Sequence, residues 1–282
     1  MPDLRIALAQ LRGDDGDIGK NMDRVAEVAR GVGAHHDVVV FPEAYAIGFP
    51  SREATRALAE PLDGPIVQTL TRLASACATT LVIGVPEREG EGVFNTTVMV
   101  TPAGLTLAYR KVHLWRSERT RVDTGNAFGT TCLGDTRVGI LICYDIEFPE
   151  TARALASLGA QVAFVTNGNM DPYGPVHHVC LRARAQENQM YVAMANRVGE
   201  AQGTVYAGGS GVANPYGRVL CEAGRDEDVL SATLSLQDLA ESRRAYDYLQ
   251  ERRIGIGVSR PTVDHETYAA VIKTGDQAVR TA

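Results

Sequence analysis

Cysteine is scarce and unpatterned here: five residues at wide spacing in 282, an odd count, and no Cys-x-x-Cys. That argues against a disulfide framework and against a zinc ribbon. No stretch approaches the roughly 20 apolar residues of a membrane span. The opening MPDLRIALAQ lacks the charged start and long apolar run of a secretory leader. Basic runs are missing too. The net charge is -6 and the sequence pI about 5.6. Neither a nucleic acid nor an anionic membrane is therefore expected as a partner. No linker, low-complexity segment or repeat divides the chain. What remains is a soluble, cytoplasmic protein read as one domain, 1–282. Its 45% hydrophobic content is enough for a large core.

Periodicity gives the elements. Strands are expected at 4–10, 37–43, 80–85, 93–100, 105–110, 137–143, 161–166, 189–196 and 229–234. Helices are expected at 21–32, 64–79, 149–158, 175–188 and 236–252. Thr101-Pro102-Ala103-Gly104 joins one hairpin, and Pro215-Tyr216-Gly217 joins another over 210–214 and 218–222. Beyond Gly255 periodicity is weak and the tail reads as extended. Hairpins interrupt an otherwise alternating pattern of strands and helices. The fold class is α/β, with a mixed sheet or two sheets rather than a doubly wound one.

Three strands end on ionisable residues of different kinds. DVVVFPEAY ends on Glu43, LTLAYRKVHLW on Lys111, and GILICYDIEFPE on Cys143. Groups just past the carboxyl ends of strands are where α/β folds place their chemistry. A thiol is mostly protonated at neutral pH and needs a base within reach. A partly desolvated carboxylate can serve. The oxyanion made by attack on a carbonyl needs a cation or N–H donors. Cys143, Glu43 and Lys111 together would make an acyl-transfer site. Each alone reads as a core thiol, a turn carboxylate or a solvated lysine.

The stretches FPEAY, YRKVHLW and CYDIEFPE, in that order, resemble the nitrilase superfamily of carbon–nitrogen hydrolases. The likeness continues through TNGNMDPYGPVHH, RARAQENQMYVAMANRVG and GGSGVANPYGRVL. The resemblance implies a four-layer α-β-β-α sandwich of two mixed sheets. It implies Cys143 as nucleophile, Glu43 as general base and Lys111 as stabiliser of the tetrahedral intermediate. Glu118 in KVHLWRSERT matches a second family glutamate that fixes the lysine and positions substrate or water. The Tyr144 backbone N–H would be the other oxyanion donor. The implied activity is hydrolysis of small aliphatic or aralkyl amides to acid and ammonia through a thioester, with small-molecule amide and water as the only partners in the reaction. N-carbamoyl amide, ω-amide and nitrile hydrolysis stand as alternatives within the superfamily, and a non-hydrolytic scaffold as one outside it. No metal or organic cofactor is implied. Subunits are expected to pair as a homodimer or higher oligomer, with C-terminal segments reaching across. The stretch RRIGIGVSRP departs from the family's usual tail pattern.

Other residues carry weaker expectations. Tyr45, Trp115, Phe49 and Met170 are candidate apolar walls of the pocket, with Tyr144, Asn169 and Tyr173 bordering it. Glu147 stands where the ω-amidase branch often has arginine, which weakens the case for a second carboxylate on the substrate. His113 shares a face with Lys111 and is expected to bond neighbouring backbone. His177-His178 lacks carboxylates at metal-ligand spacing, so no metal is expected. Asp145, Glu147 and Glu150 read as turn and helix-terminus groups, with Glu150 tying down backbone.

Overall fold

The computed structural model describes residues 3–253 and 268–270. In chain order the elements are β1 (Leu4–Gln10), α1 (Ile18–Val32), β2 (Val38–Val40), α2 (Arg52–Leu58), α3 (Pro65–Cys77), β3 (Thr80–Glu89), β4 (Gly92–Thr101) and β5 (Gly104–Arg110). Then come β6 (Phe128–Leu133), β7 (Thr136–Ile142), α4 (Pro149–Ser157), β8 (Val162–Asn167), α5 (Gly174–Asn188) and β9 (Tyr191–Asn196). The remainder is β10 (Val198–Ala201), β11 (Thr204–Ala207), β12 (Gly211–Ala213), β13 (Val219–Glu222), β14 (Asp228–Leu234), α6 (Leu236–Ser242), α7 (Tyr248–Glu251) and β15 (Tyr268–Ala270).

Two mixed sheets result. One runs β14-β1-β2-β3-β4-β5 and the other β13-β12-β9-β8-β7-β6-β15. Strand alternation shows how they stack. Ile6, Leu8, Val38, Val40 and Val82 of the first sheet share one buried cluster with Val138, Ile140, Ile142 and Phe164 of the second. Their neighbours Ala7, Ala9, Val39, Leu81 and Ile83 belong to another cluster, with Val25 and Ala29 of α1 and Leu70 and Ala74 of α3. A period of two along each strand therefore feeds two faces, one against the other sheet and one against helices. On the far side Ala152 and Leu155 of α4 and Leu181 and Ala185 of α5 cover the second sheet. This is the α-β-β-α sandwich. A buried hydroxyl pair, Thr97 and Thr166 at 2.7 Å, joins the two sheets near the site.

The structure departs from the sequence reading in a few places. The segment 236–252 is two short helices, because Gln189 donates its amide to the Ser242 and Tyr246 carbonyls and so takes up the end of α6. Asp247 then caps α7. The helix α2, the strand β6 and the hairpin β10–β11 were not expected. The strand β2 is shorter than 37–43, since the chain turns out of the sheet at Phe41 to present Glu43. In the tail, β15 pairs antiparallel with β6. The rest of the tail, including RRIGIGVSRP beyond Arg253, lies outside the described residues.

Candidate active site

Backbone from both sheets holds the three strand ends together. Past β2, Phe41 N–H donates to Val82 O at 2.8 Å, and Glu43 N–H donates across to Asn167 O of β8 at 3.2 Å. Past β5, Lys111 N–H donates to Asn95 O, and Gly125 N–H donates to Lys111 O. Past β7, Cys143 opens a 3-10 turn (Cys143–Glu147) at φ +44°, in the left-handed region. That conformation costs an L residue about 1–2 kcal/mol and swings the thiol off the strand line.

Lys111 is the meeting point. Its Nζ lies 2.6 Å from Glu43 Oε1 and 2.7 Å from Glu118 Oε2. Asn95 Nδ2 donates to both carboxylates, at 2.8 and 3.1 Å. Glu118 Oε2 also accepts from Trp115 N–H at 2.8 Å, which fixes the loop after the lysine. The side chains of Glu43 and Lys111 are 2% and 1% exposed, so water does not screen the pair. A lysine has three N–H donors, and two are engaged here.

Burial pushes the Glu43 carboxyl pKa up, and Glu118 adds to this against the opposing pull of Lys111. Burial alone would push the Lys111 ammonium down. Glu118, Glu43 and Cys143 override it and hold Lys111 well above its ordinary value. Burial also pushes the Cys143 thiol well up, Glu43 adds to this, and Lys111 opposes it. A neutral thiol beside a basic carboxylate and a permanent cation can undergo acyl transfer, with the proton leaving as the sulfur attacks.

Asp145 holds the turn that Cys143 opens. It is fully buried, and each oxygen takes two donors. Oδ1 accepts from His113 N–H and His113 Nδ1, at 3.0 and 2.9 Å. Oδ2 accepts from Tyr109 Oη and Ile142 N–H, at 2.8 and 3.1 Å. The partner of His113 is thus a carboxylate rather than the backbone expected. Asp145, not Glu150, ties the turn down, and Glu150 lies exposed in the first turn of α4.

A cavity of about 450 Å³ opens above these groups. Glu43, Lys111, Cys143 and Glu118 all line it, as do Trp115, Tyr144, Glu147, Asn169 and Met170. Phe49 and Tyr173 also reach it, and so do Arg116 and Arg121. Tyr45 does not. It is buried in the core behind the site, where its hydroxyl donates to Arg12 O at 2.8 Å. It is apolar wall of the core rather than of the pocket: it packs in the cluster between the first sheet and its helices, with its ring centroid 6.0 Å from that of Phe41, and Phe49 is the aromatic of this loop that lines the cavity.

Several groups escaped the sequence reading. Asn95 sits mid-strand in β4, and nothing in its neighbourhood marks it. Gly168 is silent as well, yet a Cβ there would lie 2.8 Å from Glu43 Oε2 and 2.7 Å from Phe49 Cζ. Only glycine lets the chain leaving β8 come so close to the carboxylate. His177, noted in the sequence only for lacking carboxylates at metal-ligand spacing, lines the cavity and has a carboxylate partner from a distant part of the chain, Glu147 at 3.1 Å. Among the described residues, no three His, Cys, Asp or Glu side chains are arranged to hold a metal ion.

Comparison with known proteins bears on this geometry. The family model described as carbon–nitrogen hydrolase matches residues 5–244. An (R)-stereoselective amidase of a Pseudomonas species is 48% identical over 89% of this chain and 92% of its own. The structure of XC1258 from Xanthomonas campestris, a CN-hydrolase superfamily protein with an arsenic adduct in the active site, superposes with a TM-score of 0.85. It is 30% identical, over 91% of this chain and 100% of its own. An amidase from Nesterenkonia sp. AN1, seen after addition of acrylamide to its active-site cysteine, superposes with a TM-score of 0.78 at 29% identity. That alignment covers 89% of this chain and 96% of the other.

Proposed function

The chain belongs to the carbon–nitrogen hydrolase family, and from that premise we propose that it is a cysteine-dependent amidase converting small aliphatic or aralkyl amides to carboxylic acid and ammonia. The observation that carries this reading is the buried Lys111 ammonium held between Glu43 and Glu118 in the cavity that Cys143 lines.

In this reading Glu43 accepts the thiol proton as Cys143 Sγ bonds to the amide carbon, and the carbonyl electron pair moves to oxygen. The third N–H of Lys111 and the N–H of Tyr144 receive the oxyanion. Glu43 hands its proton to the nitrogen, the C–N bond breaks, and ammonia departs. Glu43 then takes a proton from water as the water oxygen attacks the thioester. The C–S bond breaks and the proton returns to sulfur. Glu118 keeps the ammonium in place and, through Trp115 N–H, holds the loop that walls the pocket.

The apolar side chains of Trp115, Tyr144, Phe49 and Met170 support an acyl group with hydrocarbon or aromatic character. The same reading takes residues 1–282 as one domain, placed in the cytoplasm. It also takes the protein as a homodimer or higher oligomer. Val176 and Val179 on α5, at 40% and 67% exposure, support a partner surface there, and light scattering on the purified protein decides the oligomeric state.

The decisive experiment is ammonia release from a panel of amides, N-carbamoyl compounds and nitriles by the wild type and by Cys143→Ala. Loss of release by a factor of at least about 10³ in the variant is expected, with amides the best class. Release unchanged in Cys143→Ala sinks the reading. Faster ammonia from nitriles than from their matching amides moves the activity to nitrile hydrolysis.

A further inference from the structure

The charges lining the cavity do not cancel evenly. Glu43 and Glu118 share the Lys111 ammonium. Asp15 is paired with Arg197 at 2.7 Å, and Asp171 with Arg225 at 2.5 Å. Glu147 is the remaining lining carboxylate, and its ion-pair partner among the described residues is a histidine, His177.

That histidine does not neutralise it. Nδ1 of His177 faces the amide nitrogen of Asn167 at 3.0 Å. With the Asn167 amide oriented so that its nitrogen faces both this ring and Met194 Sδ (3.2 Å), Nδ1 accepts, and the ring proton is assigned to Nε2, which donates to Glu147 Oε1 at 3.1 Å. His177 is 3% exposed, and burial pushes its pKa down against the pull of Glu147. A neutral ring orients the carboxylate and leaves its charge in place.

The surroundings suit a cation. Glu147 closes the 3-10 turn that Cys143 opens, and in such a turn residues three apart eclipse. Glu147 therefore shares a side with Tyr144, and both line the cavity. The Tyr144 ring meets Trp115 edge-on at 4.8 Å between centroids. Trp115 already hosts a cation, the Arg116 guanidinium, 4.8 Å from its centroid. The lining guanidiniums, carried on the loop after Lys111, already have partners within the protein. Arg116 is exposed and donates to Tyr173 Oη, while Arg121 donates to Pro50 O and Ser117 Oγ.

We propose that Glu147, flanked by Tyr144 and Trp115, is an ammonium subsite, and that the preferred substrates are amides whose acyl group carries a protonated amine; this rests on the amidase reading above. His177 and Asn167 act behind Glu147 as positioning residues.

The test uses matched amides in which an ammonium replaces a methyl group: γ-aminobutyramide against valeramide, and alaninamide against isobutyramide, near pH 7. In at least one pair the ammonium member is expected to have kcat/KM higher by about ten- to a hundredfold, the worth of one hydrogen bond to a charged group. Glu147→Gln is expected to cut that ratio at least about tenfold, and Glu147→Asp to retain part of it. A ratio at or below unity in both pairs, or a ratio unmoved in Glu147→Gln, overturns the proposal.

Calorimetric binding of the same pairs to Cys143→Ala, with and without Glu147→Gln, reads the preference without turnover. Glu147-dependent binding of the ammonium member with no hydrolysis by wild type keeps the subsite and removes the amidase reading. Hydrolysis of the neutral amides with no ammonium preference does the reverse.

Discussion

A thiol that is 8% exposed with a carboxylate beside it is a poor nucleophile until its proton has somewhere to go. Burial and Glu43 both raise the Cys143 pKa, and Lys111 recovers only part of this. The resting enzyme is accordingly a thiol, not a thiolate. Alkylation of Cys143 by iodoacetamide, followed by mass spectrometry, is expected to keep accelerating from about pH 7 to about pH 10, past the ordinary thiol range. A plateau already reached at pH 7 would mean a preformed thiolate. Asp145 offers a second residue-scale test. Asp145→Asn turns an acceptor-only group with four donors into one that must aim an NH₂ at some of them. It is expected to cost about 1–3 kcal/mol in urea unfolding and to lower kcat more than it raises KM. Asp145→Asn close to wild type, with the loss confined to Asp145→Ala, would show that only its volume matters. Glu43, Lys111 and Cys143 were legible because each ends an apolar run on an ionisable side chain. Asn95, Gly168 and the carboxylate partner of His113 were not, because their meaning comes from strands distant in the chain. Tyr45 misled because an aromatic beside a site looks alike in sequence whether it faces the pocket or the core.

At the scale of elements, the turns matter more than the strands they follow. Ala44, Arg116 and Cys143 all take positive φ without being glycine (+49°, +38° and +44°), and each lies in a turn that delivers a pocket group. Such strain persists where the surrounding packing dictates it. For Glu43 the packing is against β3. A Cβ on Gly84 would stand 2.8 Å from Ala44 Cα and 2.9 Å from Glu43 C, against backbone that cannot rotate aside. Gly84→Ala is expected to lose about 1–3 kcal/mol of stability and, with Glu43 as the proposed base, roughly a hundredfold in kcat/KM, because that carboxylate moves with its turn. Activity near wild type with lowered stability would show that the turn relaxes without displacing the carboxylate. The long apolar strands and the amphipathic helices could be read from periodicity. The strand β6 carries Gly129, Thr130 and Thr131, and β10–β11 is a short ribbon outside both main sheets. Neither shows an apolar alternation long enough to detect. The break between α6 and α7 depends on Gln189, which no local pattern in 236–252 could reveal.

At the scale of the molecule, the site exists because two sheets stack. Glu43 and Lys111 come from the first and Cys143 from the second, and Glu43 N–H to Asn167 O crosses between them. The sandwich thereby buries a cation between two carboxylates. With its folded pKa raised, Lys111 contributes stability that is fully present below its unfolded pKa and is lost only as pH rises through the higher folded value. Replacing it reverses the logic. In Lys111→Met, Glu43 keeps its burial and the repulsion of Glu118 but loses the opposing ammonium, so its folded pKa, already raised, goes higher. A carboxyl with a raised folded pKa favours the fold at low pH and loses that contribution as pH climbs through the folded value. The variant is therefore expected to be about 3–5 kcal/mol less stable than wild type near pH 8, with the gap narrowing steadily toward pH 5. Urea midpoints measured side by side across that range provide the check. A gap constant with pH would assign the loss to packing of the lysine stem, and a gap that widens on acidification would contradict the buried charge arrangement on which the site depends.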